Sequence, residues 1–510
     1  MLDTNNKIQT LDTVGKSLKK LRDEGKQIIH CHGTFDLLHP GHLHHLKLAS
    51  QLGDLLVVTL TADRFVSKGP GRPAFGEQLR AESMAALACV DIVCIVHDVT
   101  GIPAIEAIKP HLYVKGGEYK KVDDDITGNM EKEENAVKAG GGTIHYTDGI
   151  TFSSSKLLNQ HFSLFPPEVK EYLQKFKTVY GASEVAEQIN NLQGLKVLVV
   201  GDAIIDEYCT VSPMGVTGKN IDVLASKFES MERFCGGALA VANQIAGFVS
   251  DVTVLTGLGK KESHEPFIRS KLADNINPAF FYFEDAPTLI KRRFIDENLN
   301  KLFELYFYEA KPLTPTLDKK ICQWIADHAN SYDAVIVPDY GNGFISENIV
   351  TALCDHSGFL AVHTQINSGS RGYHAITRYP RADYISLNIP ELRHAAHDHH
   401  TPINDLVIKV GKKLNASNFS VTKGADGALM CDINQETIKN VPALSTQMVD
   451  RIGASDSFFA MTSLCMSQQG EQELALFLGG AVAGLNMRIV CNRESIDPVK
   501  LQKFTTTLLK

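Results

Sequence analysis

The chain has 510 residues, 44% hydrophobic and 22% charged, ordinary globular values that exclude long disorder, collagen and coiled coil. Lys and Arg number 51 against 59 Asp and Glu, a formal net charge of −8, so the broad basic footprint of a nucleic-acid or anionic-membrane binder is missing. No apolar run approaches the ~18 residues of a membrane span, and the opening MLDTNNKIQTLDTVGKSLKKL lacks the apolar centre of a signal peptide. Ten scattered cysteines with no C-x-x-C pair read as buried thiols in a reducing compartment. The expectation is a cytoplasmic protein that binds neither nucleic acid nor membrane.

In chain order, KQIIHCHGTF (26–35), DLLVVTLTA (54–62), VDIVCIV (90–96) and HLYVKGG (111–117) predict buried parallel strands. Amphipathic stretches such as GEQLRAESMAALA predict helices between them. This is the rhythm of a parallel sheet with crossover helices. Residues 163–194 are polar, carry Pro166-Pro167 near their start and predict one or two helices without a strand. The strand rhythm restarts at LKVLVVGD (195–202) and runs on to the end of the chain. Segments at 210–235 and 279–308 predict a small accessory sheet. The predicted division is 1–162, a helical linker 163–194, and 195–510.

The first region carries its chemistry in HGTFDLLHPGHLHHL, residues 32–46. Gly33-Thr34-Phe35-Asp36 ends a strand and His39-Pro40-Gly41-His42 opens a helix. Two histidines three apart share a helix face, and the helix N-terminus offers N–H groups and positive potential to phosphate. Imidazoles there can donate to an α-phosphate as it becomes five-coordinate. Gly41 permits close approach of a nucleotide. The run resembles the cytidylyltransferase-like nucleotidyltransferases of the HIGH superfamily. Ser67-Lys68-Gly69-Pro70-Gly71-Arg72-Pro73, Arg80, Val114-Lys115-Gly116-Gly117-Glu118-Tyr119 and Ser153-Ser154-Ser155 extend that likeness. Together they resemble the adenylyltransferase half of the bifunctional heptose-phosphate kinase/adenylyltransferases.

The resemblance implies catalytic roles for His39 and His42 and a nucleotide site including Gly33, Thr34, Phe35 and Gly41. It also implies phosphate contacts from Lys68 and Arg72, proximity of Lys115 and Gly116 to the nucleotide, and triphosphate contacts from Ser154 and Ser155. Glu118 stands where that family has Asp. Ser50 stands where it has Lys or Arg, with Lys47 one turn back on the same face.

The second region places Asp202 and Asp206 just past a strand end, where ligands bind in open α/β sheets. Gly236-Gly237 then precedes a helix. Asn388-Ile389-Pro390-Glu391, Thr422-Lys423-Gly424-Ala425-Asp426-Gly427 and Asp450-Arg451-Ile452-Gly453-Ala454-Ser455-Asp456 follow. Small residues before a helix leave successive N–H groups for an anion, and Asp456 can take a proton from an attacking hydroxyl. In this order the motifs resemble the ribokinase-like (PfkB) carbohydrate kinases over 195–510. The resemblance implies that Asp456 is the base and that Gly453, Ala454 and Ser455 form an anion hole. Asn388 and Glu391 would organise Mg²⁺ and phosphate, Glu391 indirectly, and Thr422, Gly424 and Gly427 would line the nucleotide site. Asp202, Asp206, Gly236 and Gly237 would hold the acceptor. Lys291 and Arg293 match a basic segment of heptose kinases. Ser455 replaces a glycine of that pattern, Ala240 an asparagine, Asn342 a lysine, and His363-Thr364-Gln365 a D-P-K. His394, His397, His399 and His400 read as a solvated loop or helix end.

The expected fold is α/β: two doubly wound parallel-sheet domains, the second with an accessory β-sheet lid. The expected function is a kinase and a nucleotidyltransferase acting in series to make a nucleoside-diphosphate sugar. Mg²⁺ and ATP are the expected cofactors, with CTP as the alternative for the transferase. A sugar phosphate and an NTP are the expected small-molecule partners, in a homodimer. A kinase-like domain that binds sugar without turnover and regulates the transferase is the other reading.

Overall fold

A computed structural model describes residues 4–66, 72–117, 129–147, 165–217, 220–309, 311–367, 369, 373–445 and 448–510. Lys68, Glu118, Ser154 and Ser155 lie outside the described residues. Two compact units emerge: Met1–Lys170 with Gln502–Lys510, and Glu171–Leu501.

The first unit has strands β1 (Ile28–Gly33), β2 (Leu55–Thr61), β3 (Ile92–Val96), β4 (Leu112–Gly116) and β5 (Thr143–Thr147). They lie in the order β3-β2-β1-β4-β5, and every pair is parallel. Side-chain alternation gives each strand two buried faces. Ile29, Cys31, Leu56, Val58 and Leu60 enter one core with Leu46 and Met84. Ile28 and Val57 enter the other with Val14 and Leu18. Helices Pro40–Ser50 and Glu77–Ala85 therefore cover one face, and Leu11–Asp23 the other. Strand order reverses between β1 and β4, the switch point where ligands enter such sheets.

The second unit adds β6 (Lys196–Val200), β7 (Ala203–Thr217), β8 (Asn220–Gly237), β9 (Asp251–Gly259), β10 (Ile276–Phe283), β11 (Leu289–Ile295) and β12 (Lys301–Phe307). After them come β13 (Ala334–Asp339), β14 (Leu360–Thr364), β15 (Tyr384–Asn388), β16 (Asn418–Thr422), β17 (Ala428–Asp432) and β18 (Thr437–Val441). The large sheet runs β10-β9-β6-β13-β14-β15-β16-β17-β18. It is parallel as far as β16, and β17 and β18 are antiparallel. Leu198, Val337, Val362 and Leu387 face one core. The opposite face packs under helix Ala454–Ser467, whose Phe459 stacks on Tyr384 of β15.

A separate four-stranded sheet runs β12-β11-β7-β8. It corrects the predicted accessory sheet in two places. The sheet begins at Ala203 rather than near 210, and residues 276–283 belong instead to β10, paired in parallel with β9 at the edge of the large sheet. An edge strand and an accessory strand both present half-exposed alternation, so the pattern of INPAFFYF does not tell them apart. Residues 163–194 contain helices Pro167–Lys177 and Ala182–Asn191. Among the described residues no helix is long and apolar enough to cross a membrane.

Candidate active sites

In the first unit the chain leaves β1 at Gly33 and turns through Phe35, which has a left-handed φ of 46°. Pro40 starts helix Pro40–Ser50, where its missing N–H costs nothing. His39 is the N-cap, and its Nδ1 accepts from the His42 N–H at 3.3 Å. An accepting Nδ1 places the proton of the neutral ring on Nε2, which makes Nε2 a donor. The His39 and His42 rings stack at 3.8 Å, and the Phe35 edge meets His42 at 5.1 Å. Gly41 is the second residue of that helix.

Asp36 braces the loop beyond. It accepts from Ala74 N at 2.5 Å and pairs with Arg72 Nη1 at 3.4 Å. Arg72 is buried, and desolvation lowers its pKa despite Asp36. Arg80 is a structural clamp. It donates to the Thr34, Phe75 and Thr61 carbonyls and to Asp63, tying the end of β1 to the end of β2. On β4, which neighbours β1, Lys115 pairs with Glu133 at 2.8 Å and lies over the Tyr113 ring. Glu133 also accepts from Gly101 N and Tyr113 OH. Burial pushes the Glu133 carboxyl up, but Lys115 and the Gly101 N–H outweigh it, and its pKa lies below the ordinary value. Gly116 follows on β4, opposite Thr147 of β5.

In the second unit a cavity of about 190 Å³ gathers Asp206, Gly237, Lys291, Arg293, Gly453, Ser455 and Asp456 from distant motifs. Ile204, Tyr340, Gln365, Arg451, Ile452 and Asn492 complete its lining. Register explains half of it. Lys291 of β11 pairs with Asp206 of β7, and Lys291 and Arg293 lie opposite Tyr306 and Glu304 of β12. Alternation puts all five on one face of the accessory sheet. Arg293 donates to Asp206 and, at 3.1 Å, to Glu304. Burial opposes its charge, but the two carboxylates outweigh burial and hold its pKa above the ordinary value. Lys291 lies 5.4 and 5.7 Å from the Tyr306 and Tyr340 ring centres, and burial lowers its pKa.

Asp456 sits in the first turn of helix Ala454–Ser467 and accepts from Tyr340 OH at 2.8 Å. Desolvation raises its pKa above the ordinary carboxylate value. Gly453 caps this helix with a left-handed φ of 84°. A Cβ there would stand 2.3 Å from Asn492 Oδ1. Ser455 is the second helical residue, where the backbone asks nothing of glycine. Ser455→Gly is therefore expected to keep any turnover at this cavity within about threefold and to cost at most ~1 kcal/mol of stability. Steady-state kinetics and thermal unfolding check this.

Asp202 does not line the Asp456 cavity. It lines a neighbouring recess with Tyr308, Lys311 and Asn342, and accepts from the Asn342 and Phe344 N–H groups. Burial, then Asp339, pushes its pKa up. The Gly236-Gly237 pair is demanded by packing: a Cβ would meet Asp206 Oδ2 at 2.1 Å and the Asp202 carbonyl at 2.4 Å, respectively.

Asn388 and Glu391 form a reciprocal cap on helix Ile389–Ala396, bonds of 2.9 and 2.8 Å running in the two directions. Glu391 is buried, which raises its pKa, and it also takes the Ile366 N–H. Thr422 ends β16, and Gly424 and Gly427 carry φ of 63° and 81° in the turn to β17. These motifs lie at the same C-terminal strand ends as Asp202, outside the 190 Å³ cavity. Among the described residues no group of three or more His, Cys, Asp or Glu is set to hold a metal ion.

Comparison with known proteins agrees with this division. Residues 195–490 match the family model described as pfkB family carbohydrate kinase, and residues 30–159 that described as Cytidylyltransferase-like. The chain is 41% identical over 152 residues to the Bifunctional protein HldE of Trichlorobacter lovleyi, covering 29% of this chain and 30% of that one. It is 36% identical over 168 residues to the protein of the same name from Citrifermentans bemidjiense, covering 32% and 33%. The matches thus span about a third of these relatives. Phosphofructokinase-2 from Escherichia coli superimposes with a TM-score of 0.51 at 16% identity, over 62% of this chain and 100% of that one. That likeness shows a shared fold.

Proposed function

Because the chain belongs to the pfkB family of carbohydrate kinases, we propose that it is a bifunctional enzyme building a nucleoside-diphosphate sugar. Residues 195–510 phosphorylate a hydroxyl, the anomeric one, of a sugar phosphate. Residues 1–162 join the resulting sugar 1-phosphate to an NTP, and 163–194 link the two. The carrying observation is the cavity in which the Asp456 carboxylate, held by Tyr340, faces Lys291 and the Arg293–Asp206 pair. A base beside two buried cations suits an acceptor that brings both a reactive hydroxyl and a phosphate of its own.

In the kinase step Asp456 takes the acceptor proton as the hydroxyl attacks the γ-phosphorus of ATP. The N–H groups of Gly453, Ala454 and Ser455 receive charge from the transferring phosphoryl group. Asp206, Gly236, Gly237 and Asp202 shape the acceptor's side, and Thr422, Gly424 and Gly427 the nucleotide's. Mg²⁺ neutralises the phosphates when bound. The buried Glu391 carboxyl, already gripped by two N–H groups, fits an indirect hold on it.

In the transferase step His39 and His42 donate to the α-phosphate while the sugar phosphate oxygen displaces pyrophosphate. Gly33, Thr34, Phe35, Gly41, Lys115 and Gly116 border the nucleotide, and Lys68, Arg72, Ser154 and Ser155 hold its phosphates. ATP is the favoured nucleotide and CTP the alternative. Ala240, buried where the resembled kinases carry asparagine, removes a polar contact and favours an acceptor different from theirs. Incubation with Mg²⁺, ATP or CTP and a panel of sugar and polyol phosphates, heptose 7-phosphate included, tests the reading by mass spectrometry. A nucleoside-diphosphate sugar formed together with ADP and pyrophosphate supports it. Nucleotidylation of added sugar 1-phosphates with no acceptor ever phosphorylated points instead to a regulatory kinase-like domain.

The reading includes a homodimer. The accessory-sheet face opposite Lys291 and Arg293 exposes Phe303, Leu305 and Phe307 of β12, and Met231 of β8. A second copy of the same face would cover these apolar side chains. Sedimentation is expected to give about twice the 56.0 kDa chain mass. Leu305→Asp is expected to shift the protein to monomer.

A further inference from the structure

Tyr340 follows Asp339, the last residue of β13, and is buried to 3% exposure. The turn that carries it is pinned on both sides. Asp339 accepts from the Gly341 N–H at 3.1 Å, Arg378 Nη1 at 3.2 Å and the Tyr379 hydroxyl at 2.8 Å. The Tyr340 carbonyl accepts from Asn367 Nδ2 at 2.6 Å. The ring packs on Ile204 of β7 and Leu289 of β11, and its centre lies 5.7 Å from the Lys291 ammonium. A ring so held has one place for its hydroxyl: Asp456 Oδ1, 2.8 Å away. Asp456 Oδ2 makes no hydrogen bond among the described residues, and Asp456 and Tyr340 line the same 190 Å³ cavity. Burial, then the Asp456 charge, holds the Tyr340 phenol well above its ordinary pKa, so it stays a donor. The other charged or titratable groups facing Asp456 are Asp206 of β7, Lys291 and Arg293 of β11, Arg451 of the preceding loop, His363 of β14 and Glu391 of helix Ile389–Ala396. Among the described residues none of these hydrogen-bonds to it.

Resting on the kinase reading above, we propose that Tyr340 makes Oδ2 of Asp456 the atom that takes the acceptor proton, by occupying Oδ1 with a fixed hydrogen bond. In that step the acceptor O–H bond breaks and its proton passes to Oδ2. The oxygen's electron pair forms the bond to the γ-phosphorus of ATP, and the β–γ bridge breaks with its pair leaving on ADP. Tyr340 touches none of the reacting atoms and is a positioning residue. A hydrogen bond donated to a carboxylate also favours its charged form. The Tyr340 hydroxyl thus offsets part of the burial that raises the Asp456 pKa, and keeps more of the base ionised.

The test uses the full chain and Tyr340→Phe, which keeps the ring and its contacts with Ile204 and Leu289 and removes only the hydroxyl. Carbon-13 NMR on carboxyl-labelled aspartate follows the Asp456 carboxyl without any substrate, its resonance assigned by its absence from Asp456→Asn. In Tyr340→Phe it is expected to titrate about one to two pH units higher, the worth of a hydrogen bond to a charged group. On a sugar phosphate that the wild type turns over, the acid limb of kcat should move up by the same shift. On the plateau kcat should fall by up to about 10²-fold, the cost of a misaimed group, with the acceptor KM within about twofold. A side chain that only packs would change the melting temperature and leave the titration in place. An unshifted titration in folded Tyr340→Phe overturns the proposal. If Asp456→Asn still abolishes phosphorylation in that case, the kinase reading stands. If Asp456→Asn phosphorylates like the wild type, the base assignment falls instead. The titration decides for or against Tyr340 even where no acceptor in the panel is phosphorylated, an outcome that counts against the kinase reading alone.

Discussion

Asp456→Asn is expected to lower kinase turnover by roughly 10²–10⁴-fold, the usual worth of a positioned proton acceptor. Nucleotidyl transfer to an added sugar 1-phosphate should be untouched. The substitution is nearly isosteric and keeps an oxygen for the Tyr340 hydroxyl, so the loss reports the missing base and not a broken contact. Stability should move the other way. Folding raises the Asp456 pKa through desolvation, so the fold disfavours the ionised form. This group's stabilising contribution is present while it is protonated and is lost as pH rises through its raised folded value. Asparagine never ionises, and the variant should unfold at or above the wild-type temperature at pH 7. Wild-type kinase activity should fall on the acid side at a pH above the ordinary carboxylate range, because the base must be ionised to work. Kinetics across pH and calorimetry on the same samples separate the two effects.

Gly453→Ala is expected to damage both fold and chemistry. The left-handed φ of 84° costs an L-residue ~1–2 kcal/mol. The new Cβ would lie 2.3 Å from Asn492 Oδ1 and 3.2 Å from Asn486 Oδ1, and Asn486 is fully buried. The first turn of the helix must shift, and with it the N–H groups proposed to meet the phosphoryl group. Losing even one such donor costs about 10²–10³ in turnover. The contrast with Ser455→Gly, two residues on, is the sharper reading. The same exchange of glycine and a small side chain should be severe at the cap and mild inside the helix. Denaturation curves and single-turnover phosphorylation check both variants.

What the sequence makes legible here is contiguous chemistry. Gly33 to His42 and Asp450 to Asp456 each place a strand end or a turn, a helix start and reactive side chains in one short run. The structure sets those runs at the C-terminal ends of parallel strands. What stays hidden is partnership across the chain. Tyr340 meets Asp456 over a separation of 116 residues, and Arg293 meets Asp206 over 87. No local period encodes either pair. Glu133, the partner of Lys115, lies in NMEKEENAVKA, where one buried carboxylate looks like its solvated neighbours. Arg80 shows the converse case. Its position near the basic loop invites a phosphate role, yet its guanidinium is spent on three carbonyls and Asp63.

The most direct measurement follows one acceptor through both steps by mass spectrometry in wild type, Asp456→Asn and His42→Ala. The acceptor is supplied without a phosphate on its reacting hydroxyl, together with Mg²⁺ and ATP, with or without CTP. Serial action requires a nucleoside-diphosphate sugar from the wild type. His42→Ala should accumulate the phosphorylated sugar and stop there. Asp456→Asn should form neither product until sugar 1-phosphate is added, and then make the nucleotide sugar normally. A nucleotide sugar formed by Asp456→Asn from the unphosphorylated acceptor would contradict the series, because the transferase would then need no kinase.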